Sequence, residues 1–292
     1  MLRVITENYT TGSYYKTVLE LEKEATALAR LHNKMSVGVR KNMLRAYDRD
    51  KVIFDNLYRQ LFGTTKTIIP DVRPPLAVPT EQVQLFMAKA IDLFGTSASY
   101  LREMEKSLGL YATTARQTTR LTATRIGFER FKQLEKVLVP DIIAYGKQVN
   151  QYYGEGTRKA MQEVLTKMIR REVVTPTQII NEMVKRYDNR RYLARTVART
   201  AINNVIASSQ EAVFAEDDDV EYIRWVTVGD KRVRASHMAN GAAGNNIRRK
   251  GEYWDGGGGY PRRAYNCRCS AEPLTGAEVS ESSSGKLTYH SL

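Results

Sequence analysis

The sequence predicts an α+β fold that is mainly α, with a long helical N-terminal region followed by a small α+β C-terminal domain. Two observations predict it. Apolar residues recur at helix spacing through most of the first 214 positions. Past Ala215 the composition changes to an acidic turn, an alternating segment and a glycine-rich loop. The 292 residues suit about two domains. At 42% hydrophobic, the chain can bury a core without disulfide staples.

Residues 1–63 are expected to form a helical hairpin. Its first helix, 14–32, carries Val18, Leu21, Ala25 and Leu28, and its second, 35–62, carries Val39, Met43, Tyr47 and Leu57. Gly63 supplies a stop. Residues 64–80 hold Pro70, Pro74, Pro75 and Pro79 and read as an extended connector. Residues 81–174 are a helical region. Thr80 caps a first helix that ends at Gly109. A threonine-rich helix follows over 112–139, Pro140 restarts the chain, and residues 154–156 form a hinge before another helix.

Residues 175–275 form the C-terminal domain. Thr175 and Pro176 open a helix over 177–187. A second helix, capped by Asp188 or Asn189, runs to about Phe214. Residues 220–228 alternate as a strand does, and Gly229 and Asp230 mark a turn. Residues 276–292 are serine-rich and read as a poorly ordered polar tail.

The net charge of +13 favours contact with a polyanion. Nucleic acid is the leading class, double-stranded DNA bound without sequence preference within it, and an anionic membrane or an acidic protein surface would satisfy the same charge. Residues 1–10 lack an apolar core of signal-peptide length, so no secretion signal is expected. No apolar run is long enough for a membrane span. The cysteines Cys267 and Cys269 are too close in sequence for a relaxed disulfide, which suits a reducing compartment. There is no P-loop, no dinucleotide fingerprint, no serine elbow and no HExxH.

Four features carry candidate chemistry. Arg191, Arg195 and Arg199 recur every four residues, about 200° around the helix from the apolar row Leu193, Val197, Ala201 and Val205. That row is a solvated charge ladder or a DNA- or partner-binding face. Asp230, Arg232 and His237 follow the strand. An Asp and a His that meet do general-base work or lock a turn. His237, Cys267 and Cys269 can supply three of the four ligands of a structural zinc, with Asp230, a water or a backbone group as the fourth. Two thiols on one strand face equally suit a packed core, which is the preferred reading, and no cofactor is expected. Trp225, Tyr253, Trp254, Tyr260 and Tyr265 crowd the same segment and read as its core rather than as base-stacking groups.

The order of these residues resembles a known family. A helix with Ala198, Arg199 and Thr200 precedes Trp225, then Asp230 and Arg232, His237, Gly241, Pro261, and Asn266, Cys267, Arg268 and Cys269. This looks like the head-morphogenesis domain of the Mu F-like minor head proteins of tailed bacteriophages. Two positions depart from the pattern, Ala201 where the family often has Glu and Tyr265 where it often has His, which removes one possible metal ligand.

The resemblance implies a non-enzymatic minor structural protein of the phage head. Such a protein sits at the portal vertex or capsid interior after assembly in the host cytoplasm. It is present in several copies, bound to portal or capsid proteins, and handles DNA during packaging and ejection. The alternatives are a nuclease using Asp230, Arg232 and His237, or a zinc-stapled binding module.

Overall fold

A computed structural model describes residues 18–62, 85, 88–89, 91–93, 95–123, 126, 128–169, 176–256 and 258–290. Among them the element order is α1 (Val18–Phe62), α2 (Ala98–Thr122), α3 (Phe128–Ile169), α4 (Pro176–Glu216), β1 (Tyr222–Val226), α5 (Ala235–Asn240), β2 (Ile247–Arg249), β3 (Ser270–Leu274), a 3-10 turn (Gly276–Glu278), β4 (Val279–Glu281) and β5 (Leu287–Tyr289). The fold is α+β and mainly α, as the periodicity predicts. The proline connector and the caps at Thr80 and Thr175 lie outside the described residues.

Several expected breaks are absent. Over the described residues the expected hairpin is a single helix, α1: Asn33 and Lys34, between the two expected helices, are neither Pro nor Gly, and the helix continues through Gly38. Gly109 lies inside α2; the described residues 85, 88–89 and 91–93 of the helix expected from Glu81 are helical, and the break falls at Gly95–Ser97 instead. Pro140 lies inside α3. Leu138, Val139 and Ile142 around it are buried, so packing offsets the lost hydrogen bond. The helices expected over 177–187 and 189–214 are one helix, α4.

The chain divides into two compact units. One holds His32–Ala115 and Val139–Val205. The other holds the described part of Met1–Leu31 with Arg116–Leu138 and Ile206–Leu292.

The first unit is helical. Met35, Val39, Met43, Ala46 and Tyr47 form the buried face of α1, at spacings of three and four residues. Tyr100, Met104, Tyr111 and Ala115 do the same on α2. Ser97 caps α2, its hydroxyl oxygen accepting the Tyr100 N–H at 3.1 Å. That hydroxyl donates to Asp50 at 2.8 Å, and the Gly95 N–H donates to the other Asp50 oxygen at 2.8 Å. Burial still pushes the Asp50 carboxyl up to about 6. The expected hinge at 154–156 is a packing point within α3. A Cβ on Gly154 would lie 2.6 Å from the Gly95 carbonyl oxygen, and Gly95 itself sits at φ +73°.

The second unit carries the β structure. β1 is central in an antiparallel sheet of order β2, β1, β3. Alternation along β1 sends Ile223 and Trp225 to one face and Tyr222 to the other. Ile223 and Trp225 join Val213, Phe214, Val220, Trp254, Tyr260, Cys267 and Cys269 in one buried core. Tyr222, Ile247 and Leu274 form a smaller cluster, covered by Val279, Leu287 and Tyr289.

The tail is therefore ordered through residue 290, against expectation. β4 and β5 pair antiparallel. The Arg224 guanidinium lies 3.9 Å from the centre of the Tyr289 ring, and Arg249 pairs with Glu281 at 2.5 Å. These long-range partners hold a segment whose serine-rich composition alone reads as solvated.

Candidate functional site

The second unit builds its site on the chain that leaves β1 and the chain that enters β3. Leaving β1, Gly229 takes φ +68° and starts a turn. The Asp230 carboxylate accepts the Arg232 N–H at 2.9 Å, and the Asp230 carbonyl accepts the Val233 N–H at 3.0 Å. This turn feeds the short helix α5, which carries His237 into the interior at 2% exposure.

Entering β3, Cys267 and Cys269 alternate with Arg268. The two sulfurs face inward, both buried. Arg268 faces Asp230 and grips it with two hydrogen bonds of 2.5 Å. This fork, with the Arg232 N–H, holds the Asp230 carboxyl well below its ordinary value. The predicted trio is thus divided: Asp230 is gripped by Arg268 and also pairs at 3.3 Å with the exposed Arg232 side chain, whereas His237 is buried among the thiols. No hydrogen bond joins Asp230 to His237. Asp230 therefore locks a turn against the strand-entry segment, and no acid–base pair is assembled from it.

His237 and the two thiols do come together. His237 Nδ1 lies 3.4 Å from the sulfur of Cys267 and 3.4 Å from that of Cys269. The three ligating atoms lie within 4.8 Å of one another, and no described carboxylate joins them, Asp230 included. No disulfide joins the two cysteines. The Cys267 thiol is pulled down, first by the hydrogen bond from the Cys269 thiol and then by the backbone N–H groups of Cys269 and Arg262. Cys269 moves up, because it holds the shared proton and is buried.

Aromatic and arginine side chains enclose this trio. The Trp225 ring meets His237 edge-on at 5.4 Å and Trp254 at 5.3 Å. The Trp225 indole N–H is on the Cys269 side and makes no hydrogen bond. Arg262 is buried beside both sulfurs, and its φ of 71° is rare for a residue other than glycine. Burial lowers its pKa, and the adjacent sulfurs oppose that. Of the five aromatic residues expected in the core, Trp225, Trp254 and Tyr260 are buried, while Tyr253 and Tyr265 are exposed. Tyr253 donates to Glu211 at 2.5 Å, and the Tyr265 carbonyl accepts from Arg234 at 2.5 Å.

Sequence reasoning misses the roles of Arg262 and Arg268. The alternation of Cys267, Arg268 and Cys269 holds the signal for Arg268, since a strand-like segment puts the middle residue opposite its neighbours. Nothing local marks Arg262.

The arginine row lies on α4, in the helical unit. The buried stripe there is Ala194, Ala198, Ala201, Ile202 and Val205, with Leu193 and Val197 half-buried. Arg195 is exposed, and Arg199 is half-buried with its carbonyl 3.4 Å from His32 Nε2. Each lies one residue, about 100°, from a buried alanine, so the row flanks the buried stripe instead of opposing it. The side chain of Arg191 lies outside the described residues.

Residues 157–272 match the model of a family described as "Phage Mu protein F like protein". The matched segment begins inside α3 and ends inside β3, so it takes in the arginine row, Trp225, Asp230, His237 and both cysteines. No curated protein and no solved structure matches the chain.

Proposed function

We propose that this chain, whose residues 157–272 are Mu F-like, is a non-enzymatic minor head protein of a tailed phage that acts at the portal vertex in head morphogenesis and in handling packaged DNA. The match to the family model carries this reading. It covers the residues whose order suggests the family.

The charge supports the DNA part. Eleven Lys or Arg and four Asp or Glu lie between Gly156 and Thr200. Arg195 on that stretch is exposed to meet phosphate. Portal or capsid proteins are its protein partners, and several copies enter each head. No described helix is long and apolar enough to cross a membrane. The site geometry adds to the non-enzymatic reading, because Asp230 and His237 are committed to different partners.

Two experiments test the proposal. Imaging of intact particles should place the chain against the portal ring, and density only in the tail would overturn it. The purified chain should bind DNA of any sequence with a steep salt dependence. Changing Arg191, Arg195 and Arg199 to Glu should reduce the log–log salt slope by up to about 3, near 0.9 for each phosphate no longer neutralised. An unchanged slope and affinity would remove the DNA-handling role.

A further inference from the structure

We propose that His237 Nδ1, Cys267 Sγ and Cys269 Sγ form a metal site in the C-terminal unit, suited to a tetrahedral divalent ion of the zinc type. Three observations carry it.

The first is spacing. Around a tetrahedral zinc, bonds of about 2.3 Å to sulfur and about 2.0 Å to nitrogen set a sulfur–nitrogen separation of about 3.5 Å. Both separations here are 3.4 Å, from a single ring nitrogen to two sulfurs. Three side chains from two separate segments converge on one point, α5 supplying the imidazole and the strand-entry segment both sulfurs. Packing of apolar thiols does not require that convergence.

The second is the surrounding polar groups. The Trp225 indole N–H and the Arg262 Nε–H are buried without hydrogen-bond partners. The indole N–H is on the Cys269 side, and Arg262 lies beside both sulfurs. Neutral thiols are poor acceptors for such donors, whereas thiolates are good ones. Two thiolates side by side in a buried core repel each other unless a cation lies between them. A bound divalent ion resolves this, and the two N–H groups then serve the ligating sulfurs from behind.

The third is rigidity. The Trp225 ring stands edge-on against the imidazole, so the His237 ring is already fixed by packing. Nδ1 faces the sulfurs; a metal on Nδ1 would leave the ring proton on Nε2, which is buried without a hydrogen-bond partner. Binding displaces the thiol protons to solvent as the metal–sulfur bonds form. No described carboxylate or second imidazole completes the set, so a water or a backbone oxygen takes the fourth position. The metal would add to the Arg234–Tyr265 hydrogen bond and the Arg268–Asp230 fork a cross-link from inside, between α5 and the entrance of β3.

Metal analysis of the full chain, purified after growth in zinc-supplemented medium, tests this. About one zinc per chain is expected, released when the thiols are blocked with a mercurial. Cobalt added to the stripped chain should give a sulfur-to-cobalt charge-transfer band. His237→Ala and Cys269→Ser should each lose the band and most of the metal. Gly109→Ala, in the helical unit, removes no ligand and should keep both. Should the ligand variants fail to fold, the cobalt titration of the unaltered chain still decides. Less than about a tenth of a zinc per chain, together with no charge-transfer band, overturns the site. So does retention of stoichiometric metal by folded Cys269→Ser.

Discussion

Trp225→Ala is the sharpest test of how the C-terminal unit is held. The residue is 1% exposed and is the largest fully buried side chain among those described. A buried indole of roughly 200 Å² at ~25 cal/mol per Å² accounts for about 5 kcal/mol of transfer free energy. Alanine retains a small part of that. Trp254 and His237 are also left without their edge-to-face neighbour, at about 0.5–1.5 kcal/mol each. Against this, removing the unmatched indole N–H recovers about 1–3 kcal/mol of burial cost. The net expectation is a loss of about 3–4 kcal/mol, within the usual range for truncating a buried tryptophan. The chain has two tryptophans, so the variant leaves Trp254 as sole reporter, in the same core. Guanidinium unfolding followed by its fluorescence reads the change. Trp225→Phe keeps one aromatic ring and drops the unmatched donor, so it should lose only about 1–2 kcal/mol. A loss under about 1 kcal/mol for the alanine variant would refute the packing argument. Equal losses in the two variants would shift the weight to the N–H on the Cys269 side.

Three further expectations follow from the electrostatics and the steric contacts. Asp50 has a folded-state pKa raised from 3.8 to about 6. The folded chain therefore holds that proton more tightly, and stability falls as pH rises through this interval, by about 2–3 kcal/mol. Asp50→Asn should flatten the stability profile across that interval, and an unchanged slope would reject the assignment. Asp230 has the opposite sign. Its contribution is present above its ordinary value of 3.8 and is lost as pH falls below it. Melting temperatures of Asp230→Asn should fall less steeply with acid than those of the unaltered chain. Glycines at two positions should respond in opposite directions in thermal melts followed by circular dichroism. Gly154→Ala drives a methyl against the Gly95 backbone and should cost about 1–3 kcal/mol or more. Gly109→Ala, with nothing within 4 Å of the new Cβ and a helical backbone, should stabilise by about 0.5–1 kcal/mol.

The helical content was legible because its signal is local. Apolar spacing on 35–62 is a property of neighbouring residues, and the structure buries Met35, Val39, Met43 and Tyr47 of that face. The breaks were less legible because Gly and Pro act conditionally. Gly109 ends a helix only if the chain turns left-handed there, and in α2 it continues. Pro140 costs a hydrogen bond, but the buried neighbours Leu138, Val139 and Ile142 keep α3 continuous. The glycine at 154 is fixed by a contact with Gly95, 59 positions away in sequence, which no window around it contains. The tail shows the same limit. Its serines read as solvated, and the partners that order it, Arg224 and Arg249, lie far upstream.

The site separates order from role. The succession Trp225, Asp230, Arg232, His237, Cys267 and Cys269 was enough to suggest a family, and the family match falls on that segment. Their roles depend on which side of the chain each one faces. Two strand-like steps put Cys267 and Cys269 inward and Arg268 outward, and that alternation takes Asp230 away from His237. Asp230 and His237 are seven positions apart in sequence, yet the turn and α5 send the first to the surface and the second to the core. A nuclease reading needs both in one cleft. A metal reading needs only His237 and the thiols, and it gains from the separation, because Asp230 is left to hold the strand-entry segment in place from outside. The sequence alone made a packed thiol core the better reading. The single ring nitrogen equidistant from two sulfurs, with two unmatched N–H donors around them, is the observation that moves the balance toward a metal.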